Sequence, residues 1–386
     1  MEDILTMQVW IPRYKYKVWN YNADGTVTSQ PQEIEVVFES STSSTGEIAC
    51  TDNIQGDSGD GTSEICKLKS TNSNCTDSTC SNKYYTHPAF TFGEEELTGF
   101  WIGKFEISAP ENSTCYTSAS TTNCNKTGIN PLVKPDVISY RYTQVGTFET
   151  NIMAMNDEGN QYGFNITTDT HMIKNMEWGA VAYLSHSKYG TCINGICQEI
   201  GINNNSSYTT GCGAEAGGSS SSTCNSYNTE SGMLASTTGN IYGVYDMSGG
   251  AYDYAMGNIV SKNGTTMMSG YSNAYNSGYT GIIYNSGNYM SYTGISYPNS
   301  KYYDKYSFGT SNTGMIRSKL GDSIKEVYNK DNDNWYNARS WIVHSSGPWF
   351  SRSGYYNDSA LAGLFFSSYN YGSASGSCSS RFVIIP

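Results

Sequence analysis

Few residues in this 386-residue chain could do chemistry, and their spacing speaks first for cross-linking. Ten of the eleven cysteines fall into close sequential pairs: Cys50/Cys66, Cys75/Cys80, Cys115/Cys124, Cys192/Cys197 and Cys212/Cys224. Cys378 is left alone. Zinc would need ligands at short fixed spacings. No CxxC occurs, and the four histidines are scattered at 87, 171, 186 and 344. The pairs lie in Ser/Thr/Asn/Gly-rich insertions, where a loop without a core gains most from a staple. Five local disulfides and an oxidising compartment are therefore expected. No Ser/His/Asp set, phosphate-cradling loop or pair of acid/base carboxylates stands out, and His171 and His186 read as structural or solvated groups on a predicted helix.

The last 46 residues, Trp341 to Pro386, carry a different capability, recognition without reaction. Ten are aromatic and twelve are Ser, while only Arg352, Asp358 and Arg381 are fully charged. That leaves too few titratable groups for acid/base work. Rigid Tyr interleaved with Ser, Gly and Asn is the composition of binding loops, with large contact area at low entropic cost beside adaptable hydrogen bonding. The alternative is a Ser/Tyr-rich β segment that merely closes the fold. Residues 268–300 use the same vocabulary outside the tail.

The rest of the chain must position that tail. A net charge of −12 without a basic run gives nothing to displace phosphate counterions, which excludes nucleic acid as a partner. No apolar run approaches the ~20 residues that span a bilayer, so any export signal or anchor is expected outside this chain. Residues 8–19 alternate Tyr14, Tyr16 and Val18 with Arg13, Lys15 and Lys17, the period of a half-buried strand. Residues 33–39 read as its returning partner, residues 40–86 as a Cys-rich insertion, and 99–107 as a core strand. Helical spacing of Val145, Phe148, Ile152 and Met155 predicts a helix near 142–156. A second is predicted over 170–187, with Asp169 as N-cap and Gly190 as stop. A short helix is expected over 316–329.

Three blocks in this order resemble a known family. They are Asn175-Met176-Glu177-Trp178-Gly179, Gly243-Val244-Tyr245-Asp246-Met247-Ser248-Gly249, and the tail with Arg352-Ser353-Gly354 and Arg381-Phe382-Val383. Together they look like the formylglycine-generating-enzyme-like branch of the C-type-lectin fold. Arg352-Ser353-Gly354 stands where the family has Arg-Gly-Gly, and Gly250-Ala251-Tyr252-Asp253-Tyr254 replaces Asn-Val-Trp-Glu-Trp. The resemblance implies an irregular α+β domain over 87–386, with small antiparallel sheets, two main helices and long stapled loops, to which residues 1–39 add strands. The family's enzyme holds copper with two cysteines near its C-terminal end. Only Cys378 follows Cys224 here, so no enzyme and no cofactor are expected. Calcium also occurs in this fold. Asp246 and Asp253 are the candidate oxygen ligands, with turn capping as their plainer role.

The same fold resembles the variable proteins of diversity-generating retroelements, whose C-terminal segment is rewritten at adenines. Randomised Asn codons never yield Lys, Glu, Gln, Met or Trp, and residues 355–380 contain none of the five. The expected function is a non-enzymatic ligand-binding protein on a cell surface, an extracellular appendage or a phage particle, meeting a protein or glycan. A fixed-specificity adhesin or carbohydrate-binding domain is the alternative, and the oxidase a third reading. Trp349, Phe350, Ala362, Leu364, Phe382 and Ile384 are expected inside as framework. Tyr355, Tyr356, Asn357, Asp358, Phe366, Ser368, Tyr369, Asn370, Tyr371, Ser373, Ser375 and Ser377 are expected outside, as the recognition surface within the 341–386 tail.

Overall fold

A computed structural model describes residues 4–20, 30–51, 65–70, 83–259, 268–269, 281–285, 288–292, 299–307, 309–313, 317–330, 333–344 and 346–386. It is an α+β protein of small, mostly antiparallel sheets with few helices. Strand Phe382–Ile385 lies inside a four-stranded antiparallel sheet, between Gly99–Gly103 and Asp169–Met172, and Gln8–Pro12 completes the sheet beyond Gly99–Gly103. Alternation decides its faces: Ile11, Phe100, Ile102, Val383 and Ile385 are buried, while Trp101 on the other face is 40% exposed.

The second sheet is mostly tail. Its long strand, Tyr252–Ile259, pairs with Trp349–Arg352, which pairs in turn with Ser367–Asn370. Cys378–Ser380 runs parallel to the start of Tyr252–Ile259, and Asp304–Tyr306 parallel to its end. The tail thus supplies three strands here and an inner strand of the first sheet. All six framework residues named from the sequence are buried.

Near the N-terminus, Tyr14–Lys17 pairs with Val36–Phe38 and Tyr84–Thr86. Tyr14 and Tyr16 are fully buried. The Tyr14 hydroxyl donates to Ala180 O (2.7 Å) and that of Tyr16 to Glu326 Oε2 (3.1 Å). These strands therefore belong to the main core, as their alternation requires.

The first predicted helix is Val145–Met153, followed by a single 3-10 turn, Ala154–Asn156. The second is shorter than expected, Asn175–Ser185. Residues Asp169–Met172 leave the helix to pair with Phe382–Ile385, so Asp169 opens a strand and His171 lies within it. At the helix start Glu177 Oε2 accepts from Lys174 N (2.7 Å), and the helix stops at Ser185, before Gly190. Gly179 lets the helix approach the chain at Gly321, whose carbonyl oxygen would stand 1.9 Å from an added Cβ. No α-helix forms over the described residues 317–329. Asp322 instead accepts backbone N–H groups of Lys319, Ile324 and Lys325, a local alternative to helical bonding.

Disulfides join Cys115 to Cys124, Cys192 to Cys197 and Cys212 to Cys224. Cys50 and Cys66 stand opposite each other in the ribbon Gly46–Thr51/Ile65–Ser70. The Cys75/Cys80 pair lies outside the described residues. Cys378 is free and buried. Among the described residues no helix is long and apolar enough to cross a membrane.

Candidate functional site: an aromatic and arginine strip

The tail leaves the core twice. After Trp349–Arg352 the backbone turns through Ser353 (φ 70°) and Gly354 (φ 74°), placing Tyr355 to Leu361 outside the sheet. Asp358 shapes that turn, accepting from Tyr355 N (3.2 Å) while its own N–H donates to Tyr355 O (2.9 Å). The chain re-enters at Ala362 and leaves again at Tyr369. The second excursion is anchored by Tyr142 N donating to Ser375 O (2.7 Å).

These excursions do not stand alone. Tyr252 lies 5.0 Å from Tyr355 and 5.7 Å from Phe366, ring centre to ring centre. Tyr355 meets Tyr356 at 5.1 Å, and Tyr356 meets Tyr208 edge-on at 4.8 Å. The Arg141 guanidinium lies 3.9 Å above the Tyr208 ring and donates from Nη1 to Gly376 O. At the other end the Arg339 guanidinium lies 4.8 Å from Trp341 and 5.7 Å from Phe366. Trp341 stacks on Tyr369 at 5.6 Å, and His344 closes the row 4.4 Å from Tyr369. Apart from Phe366, every side chain in this row is half-buried. The result is a continuous strip of ring faces and edges with a guanidinium toward each end.

Ten of the twelve expected contact residues are at least partly accessible. Tyr355, Tyr356, Asp358, Tyr369, Asn370, Ser373, Ser375 and Ser377 are half-buried, and Asn357 and Tyr371 exposed. Two expectations are corrected. Phe366 is fully buried, as the underside on which Tyr252 and Arg339 rest. Ser368 is buried because it lies within strand Ser367–Asn370, opposite Ser351. Sequence reasoning missed Arg141, Tyr142, Tyr208, Tyr252, Arg339 and Trp341. Trp341 and Arg339 border the tail and Tyr252 sits in a quoted motif block, so adjacency could have found them. Arg141 and Tyr208 carry no such signal.

The strip holds hydroxyls that stay protonated. Burial pushes the Tyr208 and Tyr252 phenols up, with the Asp358 carboxylate adding to the shift at Tyr252, and burial pulls Arg141 down. Such a surface can stack, donate and accept.

Beneath it lies a buried charge cluster. Asp246 accepts from Asn203 Nδ2 (2.8 Å) and Gly211 N (2.9 Å), and Glu106 Oε1 from Ala251 N (2.8 Å). Arg381 holds Asp253 Oδ2 at 3.4 Å and donates to Gly103 O (2.7 Å) and Tyr245 O (2.8 Å). Both Asp246 oxygens are met by N–H donors and Asp253 Oδ2 by the Arg381 guanidinium, while Asp253 Oδ1 is buried without a hydrogen-bond partner. Their role is to anchor Arg381, between strands Cys378–Ser380 and Phe382–Ile385. Burial pushes Asp253 up to about 7 despite Arg381, and raises Glu106 and Asp246. One other group converges among the described residues, His186 with Cys192 and Cys197, and both sulfurs there are spent in a disulfide. Burial also raises the Cys378 thiol, which leaves little reactive thiolate.

Compared with known proteins, the chain matches no family model and no curated relative.

Proposed function

We propose that this protein is a non-enzymatic recognition module, binding a protein or glycan ligand through the strip of Arg141, Tyr208, Tyr252, Tyr355, Tyr356, Trp341, Arg339 and Tyr369. The observation that carries this reading is the strip itself: half-exposed aromatics in a continuous row, with guanidinium groups laid on them, held by framework strands. Tyr, Trp and Arg are the residues most enriched at binding hot spots, and an aromatic surface of this extent marks an interaction site. The lectin-like scaffold is part of the proposal, as is adenine-directed rewriting of the tail. What supports rewriting is that accessible positions fall at 355–361 and 369–377, while buried strand residues separate them. The disulfides favour an extracellular or surface-displayed setting.

Two measurements test this. Sequencing the flanking DNA and sister copies of the gene should reveal a near-copy of the tail's codons differing at adenines. Substitutions should fall at 355–361 and 369–377 and spare Trp349, Phe350, Leu364 and Phe382. A fixed tail would leave the adhesin reading in place. Screening the displayed protein against glycan and protein arrays should then yield a ligand whose binding is lost in Tyr356→Ala. Retained binding in that variant would remove the strip from the site.

A further inference from the structure

A second feature lies outside the strip. Strands Cys192–Ile193 and Ile196–Cys197 form a minimal hairpin, joined by Asn194 (φ 51°) and Gly195 (φ 79°). Positive φ at both turn positions is the geometry that Asn-Gly favours in tight hairpins. The Cys192–Cys197 disulfide closes its base. At its tip Ile193 and Ile196 are 73% and 72% exposed. So small a hairpin has no core of its own, and the staple holds two isoleucines out in water.

Beside it opens a cavity of about 460 Å³ whose wall includes Ile193, Glu199, Ile200, Glu215 and Leu234. Leu234 is 45% exposed at its edge. Glu199 is half-buried, and no described residue donates a hydrogen bond to its carboxylate or pairs with it. Burial alone pushes this carboxyl up to about 8. Its Oε1 lies near Gly363, where an added Cβ would stand 3.1 Å away.

Without a counter-ion this desolvated carboxyl keeps its proton near neutral pH; a cation that enters stabilises the ionised form, and the proton leaves to solvent. The apolar wall suits an alkyl stem, which long cationic side chains bury while their heads stay polar. An ammonium or a guanidinium on such a stem supplies the charge. The exposed Ile196 adds apolar surface at the hairpin tip, further than a free amine could cover. We infer that this cavity takes a lysine or arginine side chain presented by a partner polypeptide, with Glu199 receiving the cationic head and Ile193 and Leu234 flanking the stem. The site is independent of the aromatic strip.

Calorimetry on the full, oxidised chain tests it with a capped Leu-Lys-Leu peptide, its norleucine and arginine counterparts, and n-pentylamine. The lysine and arginine peptides should each bind roughly tenfold tighter than the norleucine peptide and n-pentylamine, a difference of about 1.4 kcal/mol. Glu199→Gln, an isosteric change, should abolish that preference, and Ile193→Ser at the exposed tip should weaken binding of the lysine and norleucine peptides alike. Tyr356→Ala should leave lysine binding unchanged, so failure here and failure of the strip read out separately. Equal binding of the norleucine peptide, indifference to Glu199→Gln, absence of heat at millimolar peptide, or pentylamine binding as tightly as the lysine peptide would each overturn the inference.

Discussion

Phe366 and Tyr371 are five residues apart in one Ser/Tyr/Gly-rich stretch, yet Phe366 is fully buried and Tyr371 is 41% exposed. The division runs through the whole tail. Residues 362–368 and 378–385 are buried, whereas 355–361 and 369–377 are open or half-open apart from Gly372. The inward half is held by ladder pairing and by the Arg381 cluster; the outward half is held by ring contacts and turns. The same residue types therefore serve as core material and as accessible surface, and backbone pairing decides which.

The largest break in that comparison should come from the inward half. Arg381→Ala leaves Asp253 without its counter-charge and opens three hydrogen-bonded positions. The expected loss is about 3–5 kcal/mol, read as a lower urea midpoint. A loss below about 1 kcal/mol would mean that the cluster does not anchor the tail. Phe366→Ala should follow at about 3 kcal/mol through cavity formation, and it should also disturb the strip by removing the support under Tyr252 and Arg339. An unchanged melting temperature would return Phe366 to the surface.

Raising the pH should loosen the interior without touching ring contacts. Burial lifts Glu149, Asp253 and Glu326 to about 7 and Glu199 to about 8. His171, embedded between Asp169 and Glu177, rises to about 9 because those two acids outweigh its burial. All five hold their protons more tightly folded than unfolded. Their stabilisation is complete below their unfolded values and is lost as pH climbs through the folded ones. His87 and His186, lowered by burial to about 3 and about 4, act with the opposite sign, but only below about pH 6.5. Thermal stability should therefore fall from about pH 4.5 to about 9, the four carboxyls outnumbering the two histidines up to about pH 6.5, and Asp253→Asn should flatten the decline below about pH 7. A flat or rising profile would contradict the assignment.

The smallest effects sharpen the outward half. Tyr369 is wedged between Trp341 and His344 and close to Gly347. Tyr369→Ala should cost about 1–2 kcal/mol of stability in addition to binding. Tyr371→Ala should stay within about 0.5 kcal/mol of the parent while weakening ligand binding. Equal melting shifts in the two variants would erase the distinction between a wedged ring and an exposed one.

Local pattern was enough for much of this protein. Alternation in residues 8–19 marks real strands, the run expected over 99–107 is a strand that ends at Gly103, and helical spacing at Val145, Phe148 and Ile152 marks a real helix. Among the described residues three sequential cysteine pairs are bonded and Cys378 is left over, because a staple across a short loop needs only neighbours. The framework residues of the tail were legible from their apolar character alone. What pattern could not settle was any choice made by a distant partner. Residues 169–172 continue a helical stripe in sequence, but Phe382–Ile385 offers them a sheet edge more than two hundred positions away. Phe366 and Ser368 have the composition of a binding loop and were drawn inward by strand Trp349–Arg352 and the rings above it. Arg141 and Tyr208 join the strip only because the second excursion of the tail docks on one and Tyr356 meets the other. Periodicity records which face of an element is apolar; only tertiary pairing chooses what that face meets, since the free energy of burial depends on the neighbour as much as on the residue.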